Sequence, residues 1–354
     1  MSQTPLVGAE AARCLFFDSQ GMMWIGTEQG LLRYDGYRFR NYRSDAYSPG
    51  ILPNNYVRTL TEDHDGNLWI GTHDGVVRLD RRSGKFVTYH LDGEQQRIVN
   101  TLFTSRDGTI WVGTNGSASY YQKQEDRFVS YTTPSAVMSF AEDSKGNFFV
   151  GVWENGLMRL DRKTGRMVKY PVLNTRNTPY SMMVDSRDRL WIGTWECGID
   201  RLDRPADEKE PDIQHFNEHR QDFRTYYRLV EDSVSHAVWG CCLEGITRID
   251  IGNGYVENYG GLFRFCNDIQ TDGCGNLWVL TQNNGVAHLN TVPSTFNNYM
   301  LPVSGQQLPV DCIQTVFTAD GQHFWLSLRP YGLALYNRVT GEAALAVVFP
   351  DLVV

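Results

Sequence analysis

Aromatic and acidic residues occupy the same place in two neighbouring segments of the chain. Trp153 is followed by Glu154, and Trp195 is followed by Glu196, each pair after a short apolar run. An indole ring can stack on the C–H face of a sugar while nearby carboxylates accept hydrogen bonds from its hydroxyls. We therefore predict that these four residues bind a ligand, with oligosaccharides as the favoured class and ordinary loop packing as the alternative.

Other segments place different residue types at the corresponding position. Four of these residues are predicted to contribute to binding from across the same opening: His73, Asp74, Arg329 and Tyr331. Residues 215–224 hold two histidines and two arginines and form the one local basic patch of the sequence. This patch either binds an acidic sugar or is simply solvated.

Motifs that would indicate an enzyme or a metal centre are absent from the sequence. It contains no H-E-x-x-H, no G-x-S-x-G and no phosphate-binding loop. The segment from Asp63 to Asn67 resembles a calcium loop only in part, because the later glutamate is missing, and a hairpin turn explains it. We therefore expect no catalytic residues, no metal site and no cofactor.

The elements that must position the candidate residues repeat along the chain. An anchor aromatic returns every 38 to 48 residues, at Trp24, Trp69, Trp111, Phe149, Trp191, Trp239, Trp278 and Trp325. Short alternating runs with glycine-containing turns indicate antiparallel strands, and a period of this length is typical of propeller blades. We predict an all-β fold, a single β-propeller domain over residues 1–354 with four-stranded antiparallel blades. The anchor aromatics should lie between blades.

Composition excludes several classes of protein. The formal net charge is −8 and no basic run is present, which argues against binding to nucleic acid or to an anionic membrane. No apolar stretch approaches the roughly 20 residues of a membrane helix, so no direct membrane contact is expected. The first ten residues lack a signal-peptide pattern, which leaves a cytosolic protein or one whose leader was removed. Seven cysteines are too sparse for a disulfide scaffold.

A family resemblance rests on the repeat itself. The pattern Asp-x-x-Gly-Asn-Leu-Trp-Ile-Gly-Thr, followed by Gly-Val-x-Arg-Leu-Asp, resembles the two-component regulator propeller repeat over residues from about 13 to 349. The resemblance implies the periplasmic sensor propeller of a Bacteroidetes hybrid two-component histidine kinase that detects oligosaccharides. It also implies, as partners, the remainder of a sensor kinase or a second propeller. Whether the chain forms a homodimer is left open by the sequence.

The resemblance leaves the number of blades and the activity undecided. The family has seven-bladed rings, so the eight repeats form either eight blades or seven plus the first blade of a next propeller. A protein-interaction scaffold is one alternative function. A lyase is another, because lyases that open cyclic antibiotics use similar blades, although such chemistry needs a metal and a base. Since kinase motifs are absent, we predict no catalytic turnover from this chain.

Overall fold

The computed structural model describes a large part of the chain, namely residues 2–4, 12–45, 50–91, 93, 96–170, 178–203, 212–261, 263–282, 285–291, 302–303, 306–307, 313–318, 320–328, 332–337 and 343–347. Its contacts divide the chain into two units, Met1–Val292 and Pro293–Val354, and each is described by itself. The extent of a single propeller domain over residues 1–354 therefore stays a prediction. Among the described residues, no helix is long and apolar enough to cross a membrane.

The first unit contains seven four-stranded antiparallel sheets, whose equivalent strands fall into four sets. The innermost strands are β2 (Ala12–Phe17), β6 (Val57–Glu62), β10 (Val99–Thr104), β14 (Val137–Glu142), β18 (Pro179–Val184), β22 (Arg228–Asp232) and β26 (Cys266–Thr271). The second strands are β3 (Met23–Thr27), β7 (Leu68–Thr72), β11 (Ile110–Thr114), β15 (Phe148–Val152), β19 (Leu190–Thr194), β23 (Ala237–Cys241) and β27 (Asn276–Thr281). The third strands are β4 (Gly30–Tyr34), β8 (Gly75–Asp80), β12 (Ser117–Gln122), β16 (Gly156–Leu160), β20 (Ile199–Leu202), β24 (Gly245–Asp250) and β28 (Gly285–Asn290). The outer strands are β1 (Ser2–Thr4), β5 (Phe39–Tyr42), β9 (Lys85–Tyr89), β13 (Arg127–Thr132), β17 (Met167–Lys169), β21 (Ile213–Phe216) and β25 (Val256–Gly260).

The seven innermost strands contact one another in a closed ring, from β2 through β6, β10, β14, β18, β22 and β26 back to β2. The seventh blade takes its outer strand from the start of the chain, because β1 pairs antiparallel with β28 and places Gln3 opposite Ala287. Closure of a ring covers the faces of every sheet. The all-β propeller is thus confirmed, and the described part of the first unit forms a ring of seven blades.

The anchor tryptophans of the first unit lie between blades, as predicted. Trp69 is fully buried and packs against Val99 and Leu102 of the following blade. At the junction that closes the ring, the rings of Trp278 in the seventh blade and Phe17 in the first are 5.6 Å apart. Hydrophobic clusters of this kind make the blade-to-blade interfaces the core of the unit.

The aspartate that begins a hairpin turn holds the anchor in place. Asp63 accepts hydrogen bonds from the indole Nε1 of Trp69 at 2.8 Å and from the backbone N–H of Asn67 at 2.8 Å. Asp185 accepts the Nε1–H of Trp191 in the same way, at 2.8 Å. The segment that partly resembles a calcium loop therefore serves as a hairpin in this fold.

The second unit contains the eighth repeat. Its strands are β29 (Pro302–Val303), β30 (Gln306–Gln307), β31 (Ile313–Thr318), β32 (His323–Leu328), β33 (Gly332–Asn337) and β34 (Ala343–Val347). The first two form a hairpin and the last four form one antiparallel sheet. The anchor Trp325 on β32 is 40% exposed, whereas Trp69 in the first unit is fully buried.

Candidate ligand-binding site

A channel of about 820 Å³ runs through the ring of the first unit, lined by the innermost strands of all seven blades. At one end, loops between second and third strands reach the channel through His73, Leu243 and Gln282. We call this end, with the seven loops and the starts of the innermost strands, the channel mouth. The hairpin turns between first and second strands lie at the other end.

A β-bulge at the start of the innermost strand repeats around the mouth. In six of the seven described blades, one extra residue interrupts the register between first and second strands. A bulge leaves that residue unpaired and redirects its side chain. The residues at this position all line the channel: Arg13, Arg58, Asn100, Met138, Tyr180 and Asn267, with Tyr227 at the same place in the sixth blade.

Four aromatic side chains from blades four, five and six form what we call the aromatic wall: Trp153, Tyr180, Trp195 and Tyr227. The rings of Trp153 and Trp195 are 5.3 Å apart at an interplanar angle of 63°. Trp195 also lies 5.4 Å from Tyr180 and 6.3 Å from Tyr227, and all four side chains are half-buried. Burial raises the pKa of Tyr227 to about 12, so its hydroxyl is a hydrogen-bond donor at neutral pH.

Backbone hydrogen bonds fix the two tryptophan loops to the starts of the following innermost strands. The N–H of Trp153 donates to the carbonyl of Ala136 at 2.8 Å, and that of Trp195 donates to the carbonyl of Thr178 at 3.0 Å. Glu154 and Glu196 follow in left-handed conformations, with φ of 55° and 72°, and both are exposed. None of Trp153, Glu154, Trp195 and Glu196 is among the described residues that line the channel, whereas Tyr180 and Tyr227 are. Trp195 thus adjoins the channel through its ring contacts with Tyr180 and Tyr227, and Trp153 adjoins Trp195, while the two glutamates are exposed.

Polar and charged residues of blades one and two form what we call the basic wall: Arg13, Glu28, Tyr56, Arg58 and His73. His73 stacks on Tyr56 with a ring separation of 3.8 Å and an interplanar angle of 13°. The guanidinium of Arg13 lies 5.5 Å over Tyr56, and its Nε donates to Glu28 at 3.1 Å. In a ring of seven, blades one and two lie across the channel from blade five, so the basic wall faces the aromatic wall.

The environment of His73 keeps its imidazole neutral near pH 7. Burial lowers the pKa of His73, and the positive charges of Arg58 and Arg13 lower it further, while Glu28 acts in the opposite direction. Burial likewise raises the pKa of Tyr56. Both rings are therefore uncharged donors and acceptors beside two guanidinium groups.

Three candidates from the sequence remain. Asp74 is outside the described channel lining, 3.7 Å from the guanidinium of Arg97. Arg329 and Tyr331 fall outside the described residues. Within the part of the chain that is described, no group of three or more His, Cys, Asp and Glu side chains could hold a metal ion.

Acidic groups compensate the basic patch of residues 215–224. His215 Nδ1 lies 2.7 Å from the Asp200 carboxylate, and Arg220 Nε lies 2.8 Å from that of Asp222. Arg224 Nε donates to the carbonyl of Glu196 at 3.0 Å, which brings this segment to the same end of the ring as the tryptophan loops. The patch that the sequence suggested for an acidic sugar therefore has its charges largely engaged within the fold.

Sequence reasoning missed the bulge residues, although a signal for them exists. The bulge position lies 11 residues before the anchor aromatic in every repeat of the ring except the sixth, where the interval is 12. Like the loop position, it changes from blade to blade: arginine in the first two, tyrosine in the fifth and sixth. The criterion of variation between repeats, applied to this position, would have found Arg13, Arg58, Tyr180 and Tyr227.

Comparisons with known proteins agree with this architecture. The family described as two component regulator propeller matches residues 7–29, 51–74, 93–116 and 175–196. The extracellular domain of the putative hybrid two component system BT3049 from B. thetaiotaomicron is 18% identical with a TM-score of 0.68, covering 96% of this chain and 47% of that one. This chain thus spans about half of that domain. Virginiamycin B lyase from Staphylococcus aureus is 15% identical with a TM-score of 0.68, covering 82% and 98%. No match was found among curated proteins. At these identities, the two solved structures show the propeller fold alone.

Proposed function

We propose that the chain is a non-catalytic ligand-binding propeller of a two-component signalling system, because it carries two component regulator propeller repeats. In this proposal it lies outside the cytoplasm and senses oligosaccharides. The remainder of a sensor kinase or a second propeller is its partner in this proposal. Support for the location comes from BT3049, whose matching part is an extracellular domain.

The aromatic wall is the observation that carries the proposal. Trp153, Tyr180, Trp195 and Tyr227 present several half-buried rings at the entrance of the main channel, each within 5.3–6.3 Å of a neighbouring ring. Sugars bind to such surfaces through their C–H faces, and the hydroxyls need polar partners nearby. Asn100, Asn267 and Gln282 line the same channel and offer amide donors and acceptors.

A thermal-shift screen against a panel of oligosaccharides tests the proposal. A ligand that binds only the folded protein stabilises it by about 2.7 kcal/mol at a concentration of 100 Kd, which raises Tm measurably. We expect at least one oligosaccharide to produce such a shift. A panel with no shift at millimolar concentrations would contradict oligosaccharide sensing.

Variants of the aromatic wall locate the binding. Loss of a stacked ring removes about 0.5–1.5 kcal/mol beyond area burial, so Trp153→Ala and Trp195→Ala should each weaken binding by about two- to tenfold. Tyr37→Ala is the matched control, because Tyr37 is 92% exposed at the outer edge of the first blade. Trp195→Ala should also lower Tm, since Trp195 contacts three rings, so affinities are compared well below Tm. Unchanged affinity in both tryptophan variants would remove the aromatic wall from the site.

The non-catalytic part of the proposal has its own test. We expect no phosphoprotein when the purified chain is incubated with Mg-ATP, because the sequence contains neither a histidine-phosphorylation box nor a glycine-rich ATP-lid motif. Incorporation of labelled phosphate into the pure protein would contradict it.

A further inference from the structure

Arg58 is the bulge residue of β6, a half-buried member of the basic wall that lines the channel. The two other arginines of the innermost strands there have acidic partners. Arg13 pairs with Glu28, and Arg228 Nε lies 3.8 Å from Asp268. Among the described residues, Arg58 has no carboxylate within 4.0 Å.

As far as the described residues go, the basic wall therefore carries one positive charge without a carboxylate partner. Arg13 and Glu28 cancel, and the rings of His73 and Tyr56 are neutral near pH 7. A half-buried charge without a partner is costly, because water solvates it only in part. The excess stands out in a chain whose net charge is −8. An uncompensated cation at the mouth of the main channel is the arrangement expected where a bound anion completes the pairing.

We propose that the ligand of the channel mouth is an acidic saccharide, whose carboxylate or sulfate pairs with Arg58 while its sugar ring stacks on the aromatic wall. This inference rests on the proposed function. The guanidinium matches the planar, bidentate geometry of both oxyanions, and the Tyr56–His73 stack borders the place where the anion sits. The two walls face each other across the ring, so one ligand can contact both.

Matched saccharides measure the effect directly. Tetrasaccharides of glucose, galactose and mannose are each prepared in three forms: neutral, with carboxylates at C6, and with sulfates at C6. Binding to the wild-type chain is followed by calorimetry in low salt. A charge-assisted hydrogen bond corresponds to about a 10- to 100-fold effect, so on at least one backbone an acidic form should bind at least tenfold more tightly than the neutral form. The carboxylate and sulfate arms distinguish a uronic acid from a sulfated sugar.

Variants assign the preference to one side chain. Arg58→Gln should reduce the acidic-to-neutral preference to about one, whereas Arg58→Lys should keep part of it. Arg166→Gln is the control, because it removes the same charge from an exposed turn before β17. The wild-type preference needs no variant, so the proposal stays testable even if Arg58→Gln does not fold.

The failure of this inference can be told apart from the failure of the proposed function. If on every backbone that binds the neutral tetrasaccharide binds as tightly as its acidic forms, or if Arg58→Gln keeps the acidic preference, the anion inference is overturned. Should Trp195→Ala still weaken binding in that case, the proposed function stands without it. Failure of every tetrasaccharide to bind would overturn both.

Discussion

Blades pack closely at the glycine two residues after the anchor, and Gly71 tests this packing. A Cβ added at Gly71 would lie 2.5 Å from Thr59 Cγ2 and 2.6 Å from Val99 Cγ1. Val99 begins the next innermost strand and is fully buried, so neither methyl group can move without shifting a strand. Overpacking of this kind costs about 1–3 kcal/mol, and we expect Gly71→Ala to lower the free energy of unfolding by that amount.

Equilibrium urea unfolding, followed by tryptophan fluorescence and with refolding verified, measures the change. Gly116→Ala is the matched control, because Gly116 has no atom within 4 Å of the added Cβ and its φ is not left-handed. That substitution should be neutral or should stabilise by up to about 1 kcal/mol through the unfolded state. If Gly71→Ala lies within about 0.5 kcal/mol of wild type, the blades are not packed as closely as described.

Two further predictions concern the core and the closure of the ring. Burial alone would raise the pKa of Asp185, but hydrogen bonds from Arg189 and Trp191 lower it below its ordinary value. The stabilisation that the ionised Asp185 gives the folded state is therefore present above the unfolded pKa of about 4 and is lost as pH falls below it. Asp185→Asn should flatten the pH dependence of the unfolding free energy between pH 5 and 2. An unchanged slope would contradict this. Removal of residues 1–4 takes β1 away from β28, so amide hydrogen exchange should accelerate in Gly285–Asn290 and not in Ile110–Thr114. Equal exchange rates of Gly285–Asn290 in the full and shortened chains would show that β1 does not close the ring.

The periodic features of the fold could be predicted from the sequence, because every repeat carries the same pattern of residues. Anchors such as Trp69 and the hairpins before them depend only on local alternation and turn chemistry, and both appear where expected. Ring closure could not be predicted in this way. It depends on three backbone pairings between β1 and β28, residues at opposite ends of the first unit, and a short strand from Ser2 to Thr4 carries no pattern that reveals its partner.

The candidate site was predictable only where variation between repeats falls on a loop. Trp153, Trp195 and His73 were selected by that criterion; His73 lines the channel, and Trp195 packs on Tyr180, which also lines it. Arg58 and Tyr180 were missed, because in an ordinary strand the residue beside a buried valine or proline would point into a blade interface. The bulge changes that direction, and a bulge is a property of the register between two strands rather than of either sequence.

A crystal structure with the oligosaccharide that raises Tm most would test the central claim most directly. The account predicts a sugar ring against Trp195 and Tyr180, with an acidic group at Arg58, inside the channel mouth. Density at the hairpin end of the ring, around Asp63 and Arg81, or on the outer strands would contradict it, whatever the affinity.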